Sequence, residues 1–268
     1  MKKRLITTII FISLCSTVVF LFGLGWVMKD QLVSAGAANA PVKPLKMPES
    51  KSSSQSKQIH IVALGDSLTR GTGDPEGKGY IGYMINDLKT KTKKPILLTN
   101  VAVKGATTAN LLAQLKQPQI QREVKGADIV LFTIGGNDLF QGGNALTHLD
   151  TSYMKKIEKS YLVNLNSIYS EIRSINKQAT VFHIGLYNPF NDLQQSKLTS
   201  SIVRQWNTDS ANEAANYKEI VYVPTFDLFE LHVNDYLFND KFHPNTAGYK
   251  LIGERVASLI TFSQEGNK

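Results

Sequence analysis

Four short segments carry residue types that could do chemistry together: Gly65-Asp66-Ser67-Leu68-Thr69, Val103-Lys104-Gly105-Ala106-Thr107, Gly135-Gly136-Asn137-Asp138 and Asp240-Lys241-Phe242-His243-Pro244. A serine hydroxyl is a weak nucleophile and needs a base to take its proton during attack. Histidine, with an unperturbed pKa of about 6.5, suits that task, which makes His243 the candidate base. Asp240 stands three residues earlier, a spacing that a turn entering a helix can fold back onto the ring. A carboxylate there holds the imidazole tautomer and stabilises the imidazolium. Pro244 confines His243 to extended backbone and so keeps it off the following helix. The negative oxygen formed on attack needs preset donors, and the N–H groups of Ser67 and Gly105 with the side-chain amide of Asn137 supply three. Removing one such donor typically costs about 3 to 4 kcal/mol. The absence of a side chain at Gly105 leaves the backbone open to an approaching substrate. The chemistry available to these parts is acyl transfer through a serine.

Such parts work only if the elements around them converge. Ile59 to Leu64, Ile96 to Val103, Ile129 to Ile134, Val181 to Leu186 and Ile220 to Val223 are short, mostly apolar and rich in β-branched residues. Runs of that kind are expected for parallel strands covered on both faces. Between them, Ile81, Met84, Ile85 and Leu88, then Ile157, Tyr161, Leu165, Ile168, Ile172 and Ile175, and finally Ile252, Val256, Leu259 and Ile260 recur at helical spacing. The alternation predicts an α/β fold, a three-layer α/β/α sandwich with right-handed crossovers. In such sheets ligands bind at the carboxyl ends of the strands. The chemistry-bearing segments stand at or beyond such ends, and Asp240-x-x-His243 precedes the last helix.

The four segments resemble the SGNH, or GDSL, hydrolase family: Ser67 in Gly-Asp-Ser-Leu, Gly105 after the second strand, Asn137 in Gly-Gly-Asn-Asp, and His243 in Asp-x-x-His. The resemblance covers residues 59 to 262. It implies a flavodoxin-like five-stranded parallel sheet, with Ser67 as nucleophile, Asp240 and His243 completing the triad, and Ser67, Gly105 and Asn137 forming the oxyanion hole. It implies hydrolysis of carboxylic esters or thioesters without metal or cofactor. The family spans lysophospholipases, thioesterases, lipases and carbohydrate O-acetyl esterases. Among these the chain looks most like the compact bacterial lysophospholipase and thioesterase group, acting on lysophospholipid or on short-to-medium acyl esters. Deacetylation of cell-wall glycans is the alternative substrate. A noncatalytic lipid- or glycan-binding surface module is the alternative from another class, and the complete triad argues against it.

Composition narrows the surroundings. The chain has 268 residues, 42% hydrophobic and 19% charged, with a single cysteine, Cys15, which excludes a disulfide framework or a multi-cysteine metal centre. The net charge of +8 is unevenly placed: residues 1–58 hold eight basic and two acidic residues, leaving 22 basic against 20 acidic for the remainder. A basic face for nucleic acid is therefore not expected. Lys2-Lys3-Arg4 precedes Leu5 to Met28, twenty-four residues without a charge, long enough as a helix to cross a membrane. The positive cluster orients such a span with everything beyond it outside the cytoplasm. The small residues Ala35-Gly36-Ala37 and Ala38-Asn39-Ala40 offer the rival reading, a cleaved signal peptide and a secreted product. Residues 41 to 58 combine three prolines and five serines without an aromatic, a tether composition. The expected organisation is thus an anchor over 1–28, a linker over 29–58 and one hydrolase domain over 59–268, a single-pass protein of the cell membrane.

Read singly, these residues have ordinary roles as well. Ser67, Thr69 and Asp240 can cap helices, Gly105 can sit in a turn, and Asp66 and Asp138 can each hold its own strand-end turn through backbone hydrogen bonds. His60, His148, His183 and His232 lack metal-ligand spacing, and His60 and His183 fall inside apolar strands. The stretch Gly71 to Gly79 misses the spacing of a phosphate loop and reads as a mobile loop beside Ser67. The Gly-x-Ser-x-Gly elbow of α/β-hydrolases is absent around Ser67. Tyr80, Tyr83, Leu139, Phe140, Tyr187, Phe190, Phe238 and Phe242 are the candidates for an acyl slot.

Overall fold

The computed structural model describes residues 58–142 and 151–262, together with Ser13, Ser16 and Thr17 near the amino terminus. Those three are helical, and the Thr17 hydroxyl donates to the Ser13 carbonyl at 2.9 Å. Apart from them and Gln58, the expected anchor over 1–28 and linker over 29–58 lie outside the described residues. Among the described residues no helix is long and apolar enough to cross a membrane.

Five strands, β1 (Ile59–Gly65), β2 (Ile96–Asn100), β3 (Ile129–Thr133), β4 (Thr180–Ile184) and β5 (Ile220–Val223), form one parallel sheet in the order β2-β1-β3-β4-β5. This is the flavodoxin-like order, whose topological switch point lies between β1 and β3. Pairing of Ala63 with Asn100, Gly65 with Thr133, Thr133 with Ile184, and Ile184 with Val223 aligns the carboxyl ends along one edge. The loops leaving that edge carry the chemistry-bearing segments.

Alternation along the strands sends Val62, Leu64, Val130, Phe132 and Val181 into one core, and Ile61, Ala63, Leu131, Phe182 and Ile184 into the other. Numbered from the short α1 (Ser67–Arg70), the helices sort by face. The first core is covered by α3 (Thr108–Leu115), α4 (Pro118–Gly126), α6 (Thr151–Ile175) and α7 (Ser196–Ala214). The second is covered by α2 (Gly79–Lys91) and α10 (Thr246–Leu259), with the single turns α8 (Phe226–Phe229) and α9 (Val233–Tyr236). A further short helix, α5 (Gly136–Phe140), follows β3.

Three sequence expectations are corrected. β2 is an edge strand with Leu97 44% exposed, so it is not covered on both faces. It ends at Asn100 rather than Val103, because the Asn100 side chain accepts from the Ala102 N–H and donates to the Thr69 carbonyl, turning the chain. Gly71 to Gly79 is not loosely held. The buried Asp74 carboxylate accepts from the N–H groups of Glu76, Lys78 and Gly79 and from the Thr246 hydroxyl at the start of α10.

Candidate active site

Ser67 is presented by the sharp turn between β1 and α1. Gly65 has φ +104°, and a Cβ there would stand 2.0 Å from the Thr133 carbonyl, so no other residue fits without moving β3. Asp66 is extended, and its carboxylate accepts from the Leu68 N–H at 3.0 Å, capping α1. The same oxygen accepts from the Thr133 hydroxyl at 2.6 Å. Burial pushes the Asp66 carboxyl up to about 7 against the pull of those two hydrogen bonds. Because that carboxylate accepts from Thr133, the chain of hydroxyls behind it is directed: Thr69 donates to Thr133 at 2.8 Å and Tyr80 to Thr69 at 3.0 Å.

His243 lies across from Ser67. Its Nδ1 is 2.7 Å from Asp240 Oδ2 and its Nε2 is 2.8 Å from Ser67 Oγ. An ionised carboxylate only accepts, so Nδ1 carries the proton and Nε2 is left to accept from the serine. Asp240 Oδ1 accepts from the N–H groups of Phe242 and His243 at 3.0 and 2.9 Å. Burial alone would raise the Asp240 carboxyl; the hydrogen bonds from the His243 ring and from these two N–H groups outweigh it and hold the group below its usual range. Pro244 pairs with Leu237 in an antiparallel bridge, and the Tyr187 hydroxyl donates to the Phe242 carbonyl at 2.5 Å, so the segment bearing His243 is tied on both sides.

Gly105 follows β2 with φ +75°, and a Cβ there would meet nothing within 4 Å. Glycine is needed at this position for backbone angle, and the space beside it is open to a ligand. Among the described residues, the Ser67 and Gly105 N–H groups donate to no backbone acceptor. The Asn137 amide gives one hydrogen to the Ala106 carbonyl at 2.9 Å, which leaves its second hydrogen to a ligand. Asp138 reaches beyond its own turn. Its carboxylate accepts from the N–H and hydroxyl of Thr108 at 3.0 and 2.5 Å, reaching the N-terminus of α3 thirty residues away. The loop after β3 is thereby stapled to the loop after β2 at two points, Ala106 and Thr108.

Ser67, Gly105, Asn137, Asp240 and His243 all line one cleft of about 840 Å³. One side of it is apolar: Phe140, Pro189, Phe190, Leu193 and Phe242. Phe140 meets Phe190 edge-on at 5.1 Å between ring centres and Phe242 at 5.8 Å. Of the expected slot residues, Tyr80 and Leu139 belong to the core, and Phe238 lies at the surface, 36% exposed. Sequence reasoning missed the polar rim of Lys104, Asp192, Asn234 and Lys241. One signal was present, since Lys104 and Lys241 lie inside two of the recognised segments. Among the described residues no three His, Cys, Asp or Glu side chains gather as a metal centre would require.

The GDSL-like lipase/acylhydrolase family model matches residues 63–251. The chain belongs to that family. It is accordingly a carboxylic ester hydrolase of the GDSL type. This hydrolase is 38% identical over 210 residues to the uncharacterised protein YpmR of Bacillus subtilis, covering 76% of this chain and 82% of that one. It is 26% identical over 210 residues to the spore germination lipase LipC of Bacillus licheniformis, covering 74% of this chain and 94% of LipC. Among solved structures, the lipase Lip_vut3 from a goat rumen metagenome superposes with a TM-score of 0.69 at 26% identity, over 75% of this chain and 97% of that one. Axe2, an acetylxylan esterase from Geobacillus stearothermophilus, shares the fold with a TM-score of 0.57 at 19% identity, over 76% of this chain and 95% of Axe2.

Proposed function

We propose that this GDSL hydrolase cleaves carboxylic esters or thioesters whose acyl chain is longer than acetyl, with Ser67 as nucleophile, His243 as base and Asp240 as its orienting acid. The observation that carries the reading is the unbroken line from Asp240 through His243 to Ser67, at 2.7 and 2.8 Å, opening onto an aromatic cleft wall. Ser67 Oγ attacks the acyl carbon while His243 Nε2 takes its proton. The carbonyl oxygen, now negative, is met by the N–H groups of Ser67 and Gly105 and by the Asn137 amide. His243 then returns the proton to the leaving oxygen or sulfur, and the acyl group stays on Ser67. Water, deprotonated by the same nitrogen, releases the acid and restores the hydroxyl.

The apolar wall favours a lipid-like acyl group over acetyl, since burying Phe140, Phe190 and Phe242 against a chain gains about 25 cal/mol per Å² of apolar surface. The uncharged stretch from Leu5 to Met28 supports placing this activity outside the cytoplasm, tethered by the amino terminus. The test uses the full chain in non-ionic detergent on nitrophenyl esters from acetate to palmitate, beside Ser67→Ala. We expect an optimum beyond butyrate, fluorophosphonate labelling at Ser67, and loss of at least about 10³-fold in kcat in the variant. An acetate optimum would refute the acyl assignment, and turnover retained by Ser67→Ala would refute the mechanism.

A further inference from the structure

Taking from that reading only the tether outside the cytoplasm, we propose that the amino-terminal pole of the sheet docks on an anionic phospholipid surface through Lys125, Lys177 and Lys218, so that the Ser67 cleft opens away from the bilayer. All five strands run parallel, so every chain entry lies at one pole and every exit, with the cleft, at the other. The two poles differ in charge. Residues 88–95, 123–128, 172–179 and 211–219, which are the last turns of α2, α4, α6 and α7 with the loops leading into β2 to β5, hold eight basic and four acidic residues. The described segments that leave the strands, 66–78, 101–107, 134–142, 185–195 and 224–245, hold four basic and nine acidic residues. Strands of four to seven residues keep the poles roughly 15 to 20 Å apart. That exceeds the Debye length of about 8 Å at physiological salt, so each pole presents its own sign.

Three of the basic residues are held as one cluster. The Asn176 amide donates to the carbonyls of Val124, Lys125 and Ala127 at 2.9, 3.3 and 2.9 Å, tying the loop before β4 to the end of α4. Arg173 donates to the carbonyls of Asn176, Ala179 and Glu219 at 3.1, 2.7 and 3.2 Å, tying the loops before β4 and β5 together. Lys125 is one of these bonded residues, Lys177 follows Asn176, and Lys218 precedes Glu219. All three are exposed, and among the described residues none of their ammonium groups bonds to a carbonyl or pairs with a carboxylate. A basic residue in the last turn of a helix answers the helix dipole, as Arg173 does. Lys177 and Lys218 lie beyond the helix ends, where that account does not reach. Like charges fixed together repel one another, a cost that an anionic surface removes. The acidic pole is turned away from the same surface. Gln58, where the preceding chain joins, lines a groove of about 400 Å³ at the basic pole with Ile59, Ile129, Phe182 and Leu259. Leu259 is 43% exposed and offers that interface an apolar side chain. Because the tether joins at this pole and the uncharged stretch Leu5 to Met28 precedes it in sequence, the anionic surface within reach is that of the bilayer.

The full chain, reconstituted in vesicles of phosphatidylcholine alone or with about 30% phosphatidylglycerol, is acetylated briefly with a neutral amine reagent, and mass spectrometry reads each lysine. Labelling of Lys125, Lys177 and Lys218, taken relative to Lys104 and Lys241 at the cleft, is expected to fall at least about threefold when phosphatidylglycerol is present. The protection should vanish in about 0.5 M salt, where the Debye length is about 4 Å. In the triple variant Lys125→Gln, Lys177→Gln, Lys218→Gln, Lys93 at the same pole should lose its protection while turnover of nitrophenyl butyrate stays at the wild-type rate. Equal labelling in the two vesicles, protection of Lys104 and Lys241 instead, or protection of Lys93 that survives the triple substitution overturns the proposal. Protection by soluble poly(glycerol phosphate) but not by the vesicles would also overturn it and assign the pole to an anionic polymer. A chain that floats with neither vesicle overturns the tether and the docking together. Fluorophosphonate labelling of Ser67 reads the serine mechanism separately in every case.

Discussion

In the proposed oxyanion site Asn137 divides its amide between two duties, one hydrogen on the Ala106 carbonyl and one for the ligand. A contact of the second kind strengthens as the carbonyl oxygen gains charge, so Asn137→Ala should lower kcat by about 10²-fold. KM should change by less than about threefold, since the ground-state carbonyl gains little from the same hydrogen. Progress curves on a single nitrophenyl ester separate the two, and a rise in KM that accounted for the whole loss would remove Asn137 from the oxyanion site. At this scale the sequence is most legible where function sits in contiguous words. Gly-Asp-Ser-Leu, Gly-Gly-Asn-Asp and Asp-x-x-His identify their residues by neighbours alone. Asp138 is opaque to the same reading, because its partner Thr108 is thirty residues away and nothing in a Gly-Gly-Asn-Asp word points there. The left-handed backbone at Lys241 is opaque for another reason: a dihedral angle is set by the bonds of its neighbours to Asp240.

Between elements, the loop after β3 and the start of α3 act as one piece. Thr108 is fully buried, Asp138 accepts both of its donors, and Asn164 of α6 donates to the Thr108 hydroxyl at 3.1 Å. Burial raises the Asp138 carboxyl, opposed by the Thr108 hydrogen bonds. Asp138→Ala would free the loop that bears Gly105 and should lower kcat by about tenfold, a positioning loss of the sort that small displacements cause. The informative measurement is a cycle with Asn137→Ala. If Asp138 works by keeping Asn137 and Gly105 in register, the double variant should lose clearly less than the product of the single losses. Multiplicative losses would mean that Asp138 serves stability alone. The strands and three helices were readable because their buried positions are apolar at period two or near 3.6. α7 was not, because its buried face is Thr199, Val203, Trp206, Ser210 and Ala214, three of the five polar or small. A tertiary hydrogen bond stands in for hydrophobicity there: Ser210, whose hydroxyl donates to the Trp206 carbonyl one turn back in the same helix at 2.7 Å, meets the Tyr161 hydroxyl of α6 at 2.8 Å. α3 and α4 are too short to show a period, and β2 reads as a buried strand until its place at the edge of the sheet is known.

Over the whole molecule, two buried groups, His183 and Asp66, make opposing contributions to how stability answers pH. His183 in β4 stacks on Phe132 at 4.6 Å and takes the Tyr169 hydroxyl at 2.6 Å, and burial pulls its pKa down to about 3. Unfolded, a histidine binds its proton near about pH 6.5. The folded state therefore loses stability as pH falls from about 6.5 to about 3, by about 1.4 kcal/mol per unit. Asp66 runs the other way. Burial holds its carboxyl protonated up to about 7 in the fold, whereas the unfolded chain releases that proton near about 3.9. Its contribution is present below about pH 4 and is lost as pH rises to about 7, at the same slope with opposite sign. Between about pH 4 and 6.5 one group takes up a proton on unfolding and the other releases one, so their slopes cancel. Substitution should uncover each in turn. Both hydrogen bonds to Asp66 end on one oxygen, which an asparagine retains, so Asp66→Asn should fold and gain on wild type steadily from about pH 4 to 7. His183→Phe keeps a ring on Phe132 and should gain on wild type as pH falls below about 6.5, whatever constant offset the lost Tyr169 contact adds. Urea unfolding of all three proteins at half-unit steps from pH 3.5 to 8 reads the slopes directly. A stability difference from wild type that stays level across these windows, in either variant, would mean that the group titrates alike in the folded and unfolded chains.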